Sequence, residues 1–403
     1  LVKGDSVSLL KDIEPIKTID YLRDKFQEYY QNADIHLPPR FTSREWGFLN
    51  WKGGIMNRHV KFNSKKEVSN YLGRIAPAHC YHSVAYYEDP SKKSMTEKSW
   101  QGADLIFDLD ADHLPEMQDV ISQKITFAQL MDYIKDQTLR LVKDVLLGDF
   151  GLNENDLLIV FSGGRGYHVH VRDKRVLDLP SGARREIADY LTTSGINEKL
   201  ILDDSGFIDR TYGEKNKFYR EKYTLPGKDA PGWKGLVSNK IHQEIEEIFK
   251  LGQDEWKGWT NLIRIPKEKA KRIKNRKTVE ETFDNLMPNY KTRIVRNILK
   301  KIQVFPDEPV TGDIHRLIRL PGSLHGKTGL MVKILSKEEL EVFNPYEMPI
   351  AFDKKPVKVR NVVGRPVTMG NDYKLDREEI KELPEFVAIY FMAMKFATLC
   401  LES

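Results

Sequence analysis

The segment 157–171 limits the possible folds of this chain more than any other part of the sequence. Leu157 to Phe161 form an unbroken apolar run, which predicts a buried strand. A glycine-rich turn follows at 162–166, and the side chains of residues 167–171 then alternate in character, which predicts a second strand. A strand, a short glycine turn and another strand together predict a β-hairpin. The fold must therefore contain a β-sheet built around this hairpin.

A second apolar strand is predicted at 103–110, and it ends in the acidic sequence Asp108-Leu109-Asp110. Side chains two residues apart lie on the same face of a strand, so the two carboxylates project together. Such a pair stays ionised at little cost only with a cation between the carboxylates, and Mg²⁺ or Mn²⁺ takes oxygen ligands of this kind. The alternative is a strand end at the surface, where both aspartates are simply hydrated. Asp104 and Asp112 flank the pair, and we expect them at its rim.

The glycine-rich turn carries groups that suit phosphate oxygens, namely backbone N–H groups, the Ser162 hydroxyl and the Arg165 guanidinium. It is not a Walker motif, because that motif needs Gly-Lys-Ser/Thr and a following helix, whereas a strand is predicted here. A plain hairpin turn is the alternative. On the second strand His168 and His170 share a face. His168 is nearer the turn and is the better candidate for a functional role, while His170 is expected to be structural.

Residues 307–329 form a third cluster, which is dense in groups that bind anions. Either Asp307 or Asp313 could join the first carboxylate pair. A charged loop on a solvated face explains any single member, but it explains the concentration of all of them poorly. The side chains around the Pro-Gly turn that could together bind a triphosphate are Arg316, Arg319, His325 and Lys327.

Composition excludes several classes of protein. Cys80 and Cys400 are too few for a disulfide framework, and the sequence around His79 and His82 lacks the second ligand pair of a zinc finger. With 40% hydrophobic residues the chain is not disordered as a whole. No apolar run approaches the roughly 20 residues of a membrane span, and the N-terminus does not resemble a signal peptide. We therefore expect an intracellular protein without a membrane segment.

The chain is expected to form a discontinuous core with an inserted subdomain. Lysine, glutamate, isoleucine and leucine at helical spacing predict a helical subdomain at 181–303, between core segments 1–180 and 304–403. The net charge is only +5, so a polyanionic partner must be sought in local clusters. The basic run 267–277 is either a solvated helix face or a track for a nucleic-acid backbone. The segment 376–401 predicts one apolar-faced helix.

Four separated motifs, in this order and spacing, resemble those of the catalytic (small) subunit of archaeo-eukaryotic DNA primase, particularly its archaeal form. The resemblance implies a mixed α/β primase fold, with a two-sheet catalytic core and an inserted helical subdomain. It also implies template-directed synthesis of short primers from nucleoside triphosphates on single-stranded DNA during replication. The matching motifs lie at residues 41–48, 104–115, 162–171 and 307–330.

The resemblance also assigns roles to individual residues. In this family an Asp-x-Asp pair and a third aspartate bind two divalent metals, Mg²⁺ or Mn²⁺. These roles fall to Asp108, Asp110 and Asp307, with Asp313 as the second choice for the third carboxylate. Contacts with the nucleotide fall to Ser162, Arg165, His168, His325 and Lys327, and to Arg319 and Arg44, which match basic positions near the nucleotide.

The chain departs from the family pattern in one respect. Family members commonly carry a zinc knuckle of Cys and His between the Asp-x-Asp strand and the glycine turn. Residues 111–160 contain no cysteine and only His113, so we expect no structural zinc. The family further implies a large, non-catalytic primase subunit as partner, docked on exposed apolar surface.

Three other interpretations stay open at this point. A primase-polymerase of a plasmid or repair system would share all the motifs but act without a large subunit. An Asp-x-Asp phosphatase would carry Thr or Val at the position of Asp112. A non-enzymatic module that binds single-stranded nucleic acid would explain the basic and aromatic residues, but it leaves the three carboxylates unexplained.

Overall fold

The chain forms two compact units of mixed α/β structure. The first unit comprises 1–139, 153–188 and 306–403, and the second comprises 140–152 and 189–305. The basic run 267–277 lies outside the described residues. The computed structural model describes residues 3–51, 53–114, 126–212, 216–250 and 278–400.

Helices and short strands are interspersed along the chain. The helices of the described residues are α1 (Lys3–Asn32), α2 (Lys65–Ile75), α3 (Met95–Lys98), α4 (Phe127–Arg140), α5 (Ser181–Thr192), α6 (Glu198–Ile201), α7 (Trp233–Lys250), α8 (Val279–Asp284), α9 (Pro288–Ile302), α10 (Glu308–Gly312), α11 (Lys337–Val342) and α12 (Glu385–Ala393). The strands are β1 (Trp46–Leu49), β2 (Asn57–Val60), β3 (His79–Ser83), β4 (Ala85–Tyr87), β5 (Trp100–Ala103), β6 (Leu105–Asp110), β7 (Leu157–Phe161), β8 (Gly166–Val171), β9 (Asp203–Tyr212), β10 (Asn216–Thr224), β11 (Leu317–Arg319), β12 (Lys333–Leu335), β13 (Pro356–Asn361), β14 (Val367–Met369), β15 (Tyr373–Leu375), β16 (Ile380–Pro384) and β17 (Ala397–Leu399). Within the described parts of the chain, no helix is long and apolar enough to cross a bilayer.

The predicted hairpin lies inside a four-stranded antiparallel sheet with the strand order β12-β7-β8-β6. Strands β7 and β8 pair along their length, with Phe161 opposite Tyr167 at the turn. Strand β8 is buried throughout, because it pairs with a neighbour on each side. Its register with β6 places Asp108 opposite His168 and Asp110 opposite Gly166. The carboxylate pair and the glycine turn therefore lie at the same end of this sheet.

A second four-stranded antiparallel sheet has the order β11-β3-β1-β2. Strand β3 is central, and its pairing with β11 places Arg319 opposite Tyr81. An apolar cluster connects elements of both sheets, since it contains Ile106 of β6, Ile318 of β11 and Val310 of α10. The first unit thus contains the two sheets that the resemblance implies.

Arg44 and Asp104 form an ion pair in the interior of the first unit, with both side chains fully buried. Nη2 of Arg44 lies 2.7 Å from Oδ2 of Asp104, and the Tyr86 hydroxyl donates to Oδ1 at 2.6 Å. The other guanidinium nitrogens donate to the carbonyl oxygens of Pro39, Ser83 and Val84. The prediction that Asp104 lies at the rim of the carboxylate pair is therefore wrong, because a buried cation holds it in the core.

The second unit contains strands as well as helices. Its core is formed by buried side chains of α6 to α9, among them Val237, Ile245, Phe283 and Val295. Strands β9 and β10 pair as an antiparallel hairpin in the segment predicted to be only helical. The sequence of β9 is largely polar and carries no clear alternation, which explains why the apolar pattern alone did not predict it.

The segment 376–401 is not one helix. Only Glu385–Ala393 is helical, and every side chain of this helix is buried. Strands β16 and β17 lie on either side of it and both pair with β13. An apolar run of this length predicts burial reliably, but it does not show where the helix ends when both flanks join a sheet.

We predict that Asp104→Ala destabilises the protein by about 3–5 kcal/mol, because it leaves the Arg44 guanidinium buried without its counter-charge. The change is read from the free energy of unfolding in a denaturant titration. Asp34→Ala is the control, since Asp34 forms an ion pair of the same 2.7 Å length with Lys65 on the surface, where its side chain is 88% exposed. The control should unfold almost as the unmodified chain does, and equal losses in both variants would contradict the prediction.

Candidate active site

Two carboxylates mark the end of β6. Asp108 and Asp110 are both partly exposed, whereas Leu109 between them is buried. Asp110 also caps the short 3-10 turn Ala111–His113, because its Oδ1 accepts a hydrogen bond from the Asp112 N–H at 3.2 Å. The alternation of the strand thus presents both carboxylates on the face opposite to that of Leu109, as the sequence predicts.

A direct backbone hydrogen bond joins Asp307 to this strand. The Asp307 N–H donates to the carbonyl oxygen of Asp108 at 2.8 Å. The Asp307 carboxylate caps α10, accepting from the Val310 N–H at 3.3 Å. Asp313 lies at the other end of α10, and its carboxylate accepts from the His315 N–H at 2.9 Å. Asp307 is therefore the aspartate of this segment that adjoins the carboxylate pair through the backbone.

His168 lies opposite Asp108 in the β6–β8 ladder and is only 4% exposed. Its Nε2 is 3.6 Å from Oδ1 of Asp108, which is longer than a hydrogen bond. Burial, together with the positive charges of Arg319 and Arg316, lowers the pKa of His168 to about 3. The imidazole is consequently neutral at neutral pH and can offer a hydrogen bond without carrying charge.

The glycine turn is held against the turn at residues 325–328. The Thr328 hydroxyl donates to the Gly163 carbonyl oxygen at 2.5 Å and lies 3.1 Å from Nδ1 of His325. Gly163 has a φ of +75°, and a Cβ at this position would lie 2.7 Å from Cβ of His325. Ser162 is buried, and its Oγ accepts from the Gly164 N–H at 3.3 Å. Glycine at 163 is thus required both by the backbone conformation and by the close approach of His325.

Cationic side chains lie around these turns. Arg165 and Lys327 are exposed, and Arg319 is partly buried. Arg165 forms an ion pair with Asp112, in which both side chains are nearly half exposed. Arg319 lies over the ring of Tyr81, with its guanidinium carbon 5.3 Å from the ring centroid.

His79 adjoins this site, although no pattern in the sequence predicts a place for it there. It is 7% exposed, and its ring contacts His325 edge to face, with centroids 5.0 Å apart. Nη1 of Arg319 donates to Nδ1 of His79 at 2.7 Å. Because His79 and Arg319 are distant in sequence, only the β3–β11 pairing reveals this contact.

Arg44 is not part of the exposed site. Its side chain is fully buried, and its guanidinium donates to protein oxygens throughout, as described for the pair with Asp104. The resemblance implied a contact between this residue and the nucleotide. The observed position supports a structural role instead, and we leave Arg44 out of the residues proposed to touch substrate.

The carboxylates suit a hard cation by their chemistry, because Mg²⁺ and Mn²⁺ prefer oxygen ligands. Asp108, Asp110 and Asp307 lie at one strand end, and backbone bonding connects two of them directly. In the arrangement seen for the described residues, no three His, Cys, Asp or Glu side chains converge closely enough to enclose a metal ion. The carboxylates of Asp110 and Asp307 are turned toward backbone N–H groups and would have to rotate to bind one.

Sequence comparisons show which known proteins this chain is similar to. Residues 107–336 match the family model described as DNA primase small subunit. The chain is 42% identical to the DNA primase small subunit PriS of Methanococcoides burtonii, over 94% of this chain and 97% of that protein. It is 39% identical to PriS of Methanothrix thermoacetophila, over 94% of this chain and 98% of that protein. It is 38% identical to PriS of Methanocella arvoryzae, over 93% of this chain and 97% of that protein.

Sheet register, carboxylate placement and family match together define a nucleotidyltransferase of mixed α/β fold. The chain belongs to the DNA primase small subunit family. As the resemblance implied, it is a DNA primase catalytic subunit that acts in replication.

Five buried histidines predict that stability depends on pH. Burial is the main reason why the pKa of each lies below the usual value of 6.5, at about 3 for His79 and His168. In the native protein His79 and His168 therefore bind no proton above about pH 4, whereas in the unfolded chain they bind protons below about pH 6.5. The contribution of these histidines to the free energy of unfolding is fully present above pH 6.5 and is lost as the pH falls toward 3. The other three histidines, with pKa values well below 6.5, are His82, His170 and His325.

We expect the free energy of unfolding to fall between about pH 7 and 5, by up to ~1.4 kcal/mol per pH unit for each histidine. His170→Phe should reduce this slope by the contribution of one proton, ~1.4 kcal/mol per pH unit at most. The reason is that His170 is fully buried and neither ring nitrogen has a hydrogen-bond partner among the described residues. Denaturant titrations at several pH values measure the slope. A free energy that stays constant over this range would contradict the prediction.

Gly163→Ala should weaken nucleoside triphosphate binding by about tenfold, because the added Cβ displaces the glycine turn from His325. Gly195→Ala is the matched control, since Gly195 has a nearly equal φ of +73° but no atom within 4 Å of the added Cβ. Both variants should lose about 1–2 kcal/mol of stability from the left-handed backbone. Equilibrium binding of labelled nucleotide separates them, and equal binding by the two variants would refute the role of the turn.

Proposed function

We propose that this chain makes short primers from nucleoside triphosphates on a single-stranded DNA template, with Mg²⁺ or Mn²⁺ as the metal. One observation carries the proposal, namely the hydrogen bond from the Asp307 N–H to the Asp108 carbonyl oxygen. It brings a third carboxylate from a distant segment to the strand end that already carries Asp108 and Asp110. The β6–β8 ladder puts the glycine turn at this same end. Carboxylates beside a set of phosphate-binding groups are what nucleotidyl transfer requires.

Asp108, Asp110 and Asp307 are the proposed metal ligands, in a site for two cations. When bound, divalent cations lower the pKa of an attacking 3′-hydroxyl and neutralise the charge of the triphosphate. The protein contributes the position of the ligands. Asp108 is held by the sheet, and Asp307 is held both by its bond to Asp108 and by the helix that it caps. The side chains of Asp110 and Asp307 would rotate away from the backbone N–H groups that they now accept from in order to bind the cations.

Binding of the incoming triphosphate is assigned to the turns beside the carboxylates. Arg165 and Lys327 are exposed cations that can pair with phosphate oxygens, and Arg319 adds a third charge. The neutral rings of His168 and His325 can contribute hydrogen bonds, and the Ser162 hydroxyl closes the glycine turn by accepting from Gly164. Fixed donors and cations of this kind hold a substrate in place for in-line attack on its α-phosphate.

The large primase subunit and the template are proposed as the partners. The small-subunit designation of the relatives supports the first, and the polymerising chemistry of the site supports the second. The family match favours nucleotidyl transfer over a phosphatase and over a simple binding module. A primase-polymerase without a large subunit is distinguished by experiment, since it would make primers at full rate alone.

We predict that Asp307→Asn lowers primer synthesis by about a hundredfold or more, because a metal ligand loses its charge. Asparagine is also a good helix cap, so α10 should stay intact. Asp313→Asn is the matched control at the other end of the same helix, where the side chain accepts from the His315 N–H. Primer-free incorporation of labelled nucleotide on a single-stranded template measures both variants, with and without added large subunit.

The activities of these two variants decide which aspartate is the third metal ligand. Loss in Asp307→Asn alone supports the site as proposed, whereas loss in Asp313→Asn alone would transfer the role to that residue. An unchanged denaturation midpoint in both variants ensures that folding does not account for the result. If the unmodified chain made no product even with its partner, the proposed function would be rejected.

A further inference from the structure

His79 lies where three parts of the site meet. It is the first residue of β3, and its Nδ1 is 2.7 Å from Nη1 of Arg319 on β11. The same Nδ1 is 3.3 Å from the backbone N of Gly326, in the turn that also carries His325 and Lys327. One imidazole nitrogen therefore contacts a cation and a turn that are both proposed to bind triphosphate.

The partners of Nδ1 determine the state of the ring. A guanidinium and a backbone amide can only donate hydrogen bonds, so Nδ1 must be the unprotonated acceptor, and the ring hydrogen is on Nε2. Burial and the charges of Arg319 and Lys327 lower the pKa of His79 to about 3, which is consistent with a neutral ring. His79 thus acts as a hydrogen-bond acceptor in surroundings where the neighbouring charges are positive.

The turn at Gly326 packs closely against the residue that precedes β3. A Cβ on Gly326 would lie 2.6 Å from the Ala78 carbonyl oxygen and 2.8 Å from Cβ of Ala78. The turn therefore lies directly on the residue that precedes β3, and the ring of His325 contacts that of His79. On the other side, Arg319 lies over Tyr81, two residues along the same strand and on the same face as His79.

We propose that His79 is a positioning residue, which orients the Arg319 guanidinium and the turn of residues 325–327 through a single acceptor, Nδ1. This inference rests on the proposed function, because it assigns the two groups that His79 holds to the binding of a triphosphate. His79 itself need not contact the substrate. It restricts the motion of Arg319 and of the turn before the substrate binds. Less conformational entropy is then lost on binding.

Two substitutions distinguish this role from a direct contact with the substrate. The Oδ1 of asparagine can take the place of the imidazole Nδ1, whereas the amide of glutamine corresponds to the outer Nε2. A positioning role therefore predicts that His79→Asn retains most of the function and that His79→Gln does not. A direct contact through Nε2–H predicts the reverse order. His79→Phe removes both nitrogens while it keeps an aromatic ring against His325.

The experiment measures binding of a labelled nucleoside triphosphate to the full chain, together with kcat and KM for primer synthesis. We expect His79→Phe and His79→Gln to weaken binding and raise KM by about tenfold, with a smaller change in kcat, and His79→Asn to stay within about threefold of the unmodified chain. Equal losses in His79→Asn and His79→Phe, or no loss in His79→Phe, would overturn the proposal.

A second measurement does not depend on catalysis. Nitrogen NMR of the unmodified chain labelled in histidine should show His79 with hydrogen on Nε2 at neutral pH, and the opposite tautomer would overturn the proposal. A chain that binds triphosphate but makes no primers would contradict the proposed function alone, because the comparison of His79 variants is read from binding. Denaturation midpoints of all variants exclude loss of folding as the cause.

Discussion

The hydrogen bond from the Asp307 N–H to the Asp108 carbonyl oxygen is the contact on which the arrangement of the site depends. It attaches the start of α10 to the strand that carries the other two carboxylates. Within the same short helix, Val310 buries its side chain in a cluster with Ile106 of β6 and Ile318 of β11. Strand β11 carries Arg319, so α10 connects the acidic strand with a strand of the second sheet. Polar and apolar contacts of one helix therefore fix the position of acidic and basic groups together.

Sequence patterns predicted the features of the site that depend on neighbouring residues. The hairpin around Ser162 and the shared face of Asp108 and Asp110 follow from the period of a strand, and the structure contains both. The choice between Asp307 and Asp313 is different in kind, because both are acidic and both flank one helix. The family resemblance favours Asp307, and in the structure the backbone contact with β6 distinguishes the two; no local pattern encodes a contact between segments so far apart.

Buried polar residues were the least predictable part of the molecule. The period of the strand places Asp104 on the face of Asp108, which predicts a position at the rim of the pair, and the family resemblance implies a nucleotide contact for Arg44. The structure instead pairs the two in the core, where each supplies the counter-charge that the other needs. His79 is a similar case, since its partners come from β11 and from the turn at Gly326. In each case the stabilising partner is remote in sequence, and only the strand pairing brings it near.

Acidic and basic groups occupy separate elements of the site, and the histidines between them carry no charge. The carboxylates lie at the end of β6 and the start of α10, whereas Arg165, Arg319 and Lys327 lie on the glycine turn, β11 and the turn that follows. Burial and neighbouring cations keep the pKa of His168 and His325 low, so these rings add no positive charge. In the proposed function these cations would attract a triphosphate, and its approach to the carboxylates would be unfavourable until divalent cations neutralise them. The proposed function, combined with this separation of charge, therefore makes the binding of metal and the binding of nucleotide interdependent.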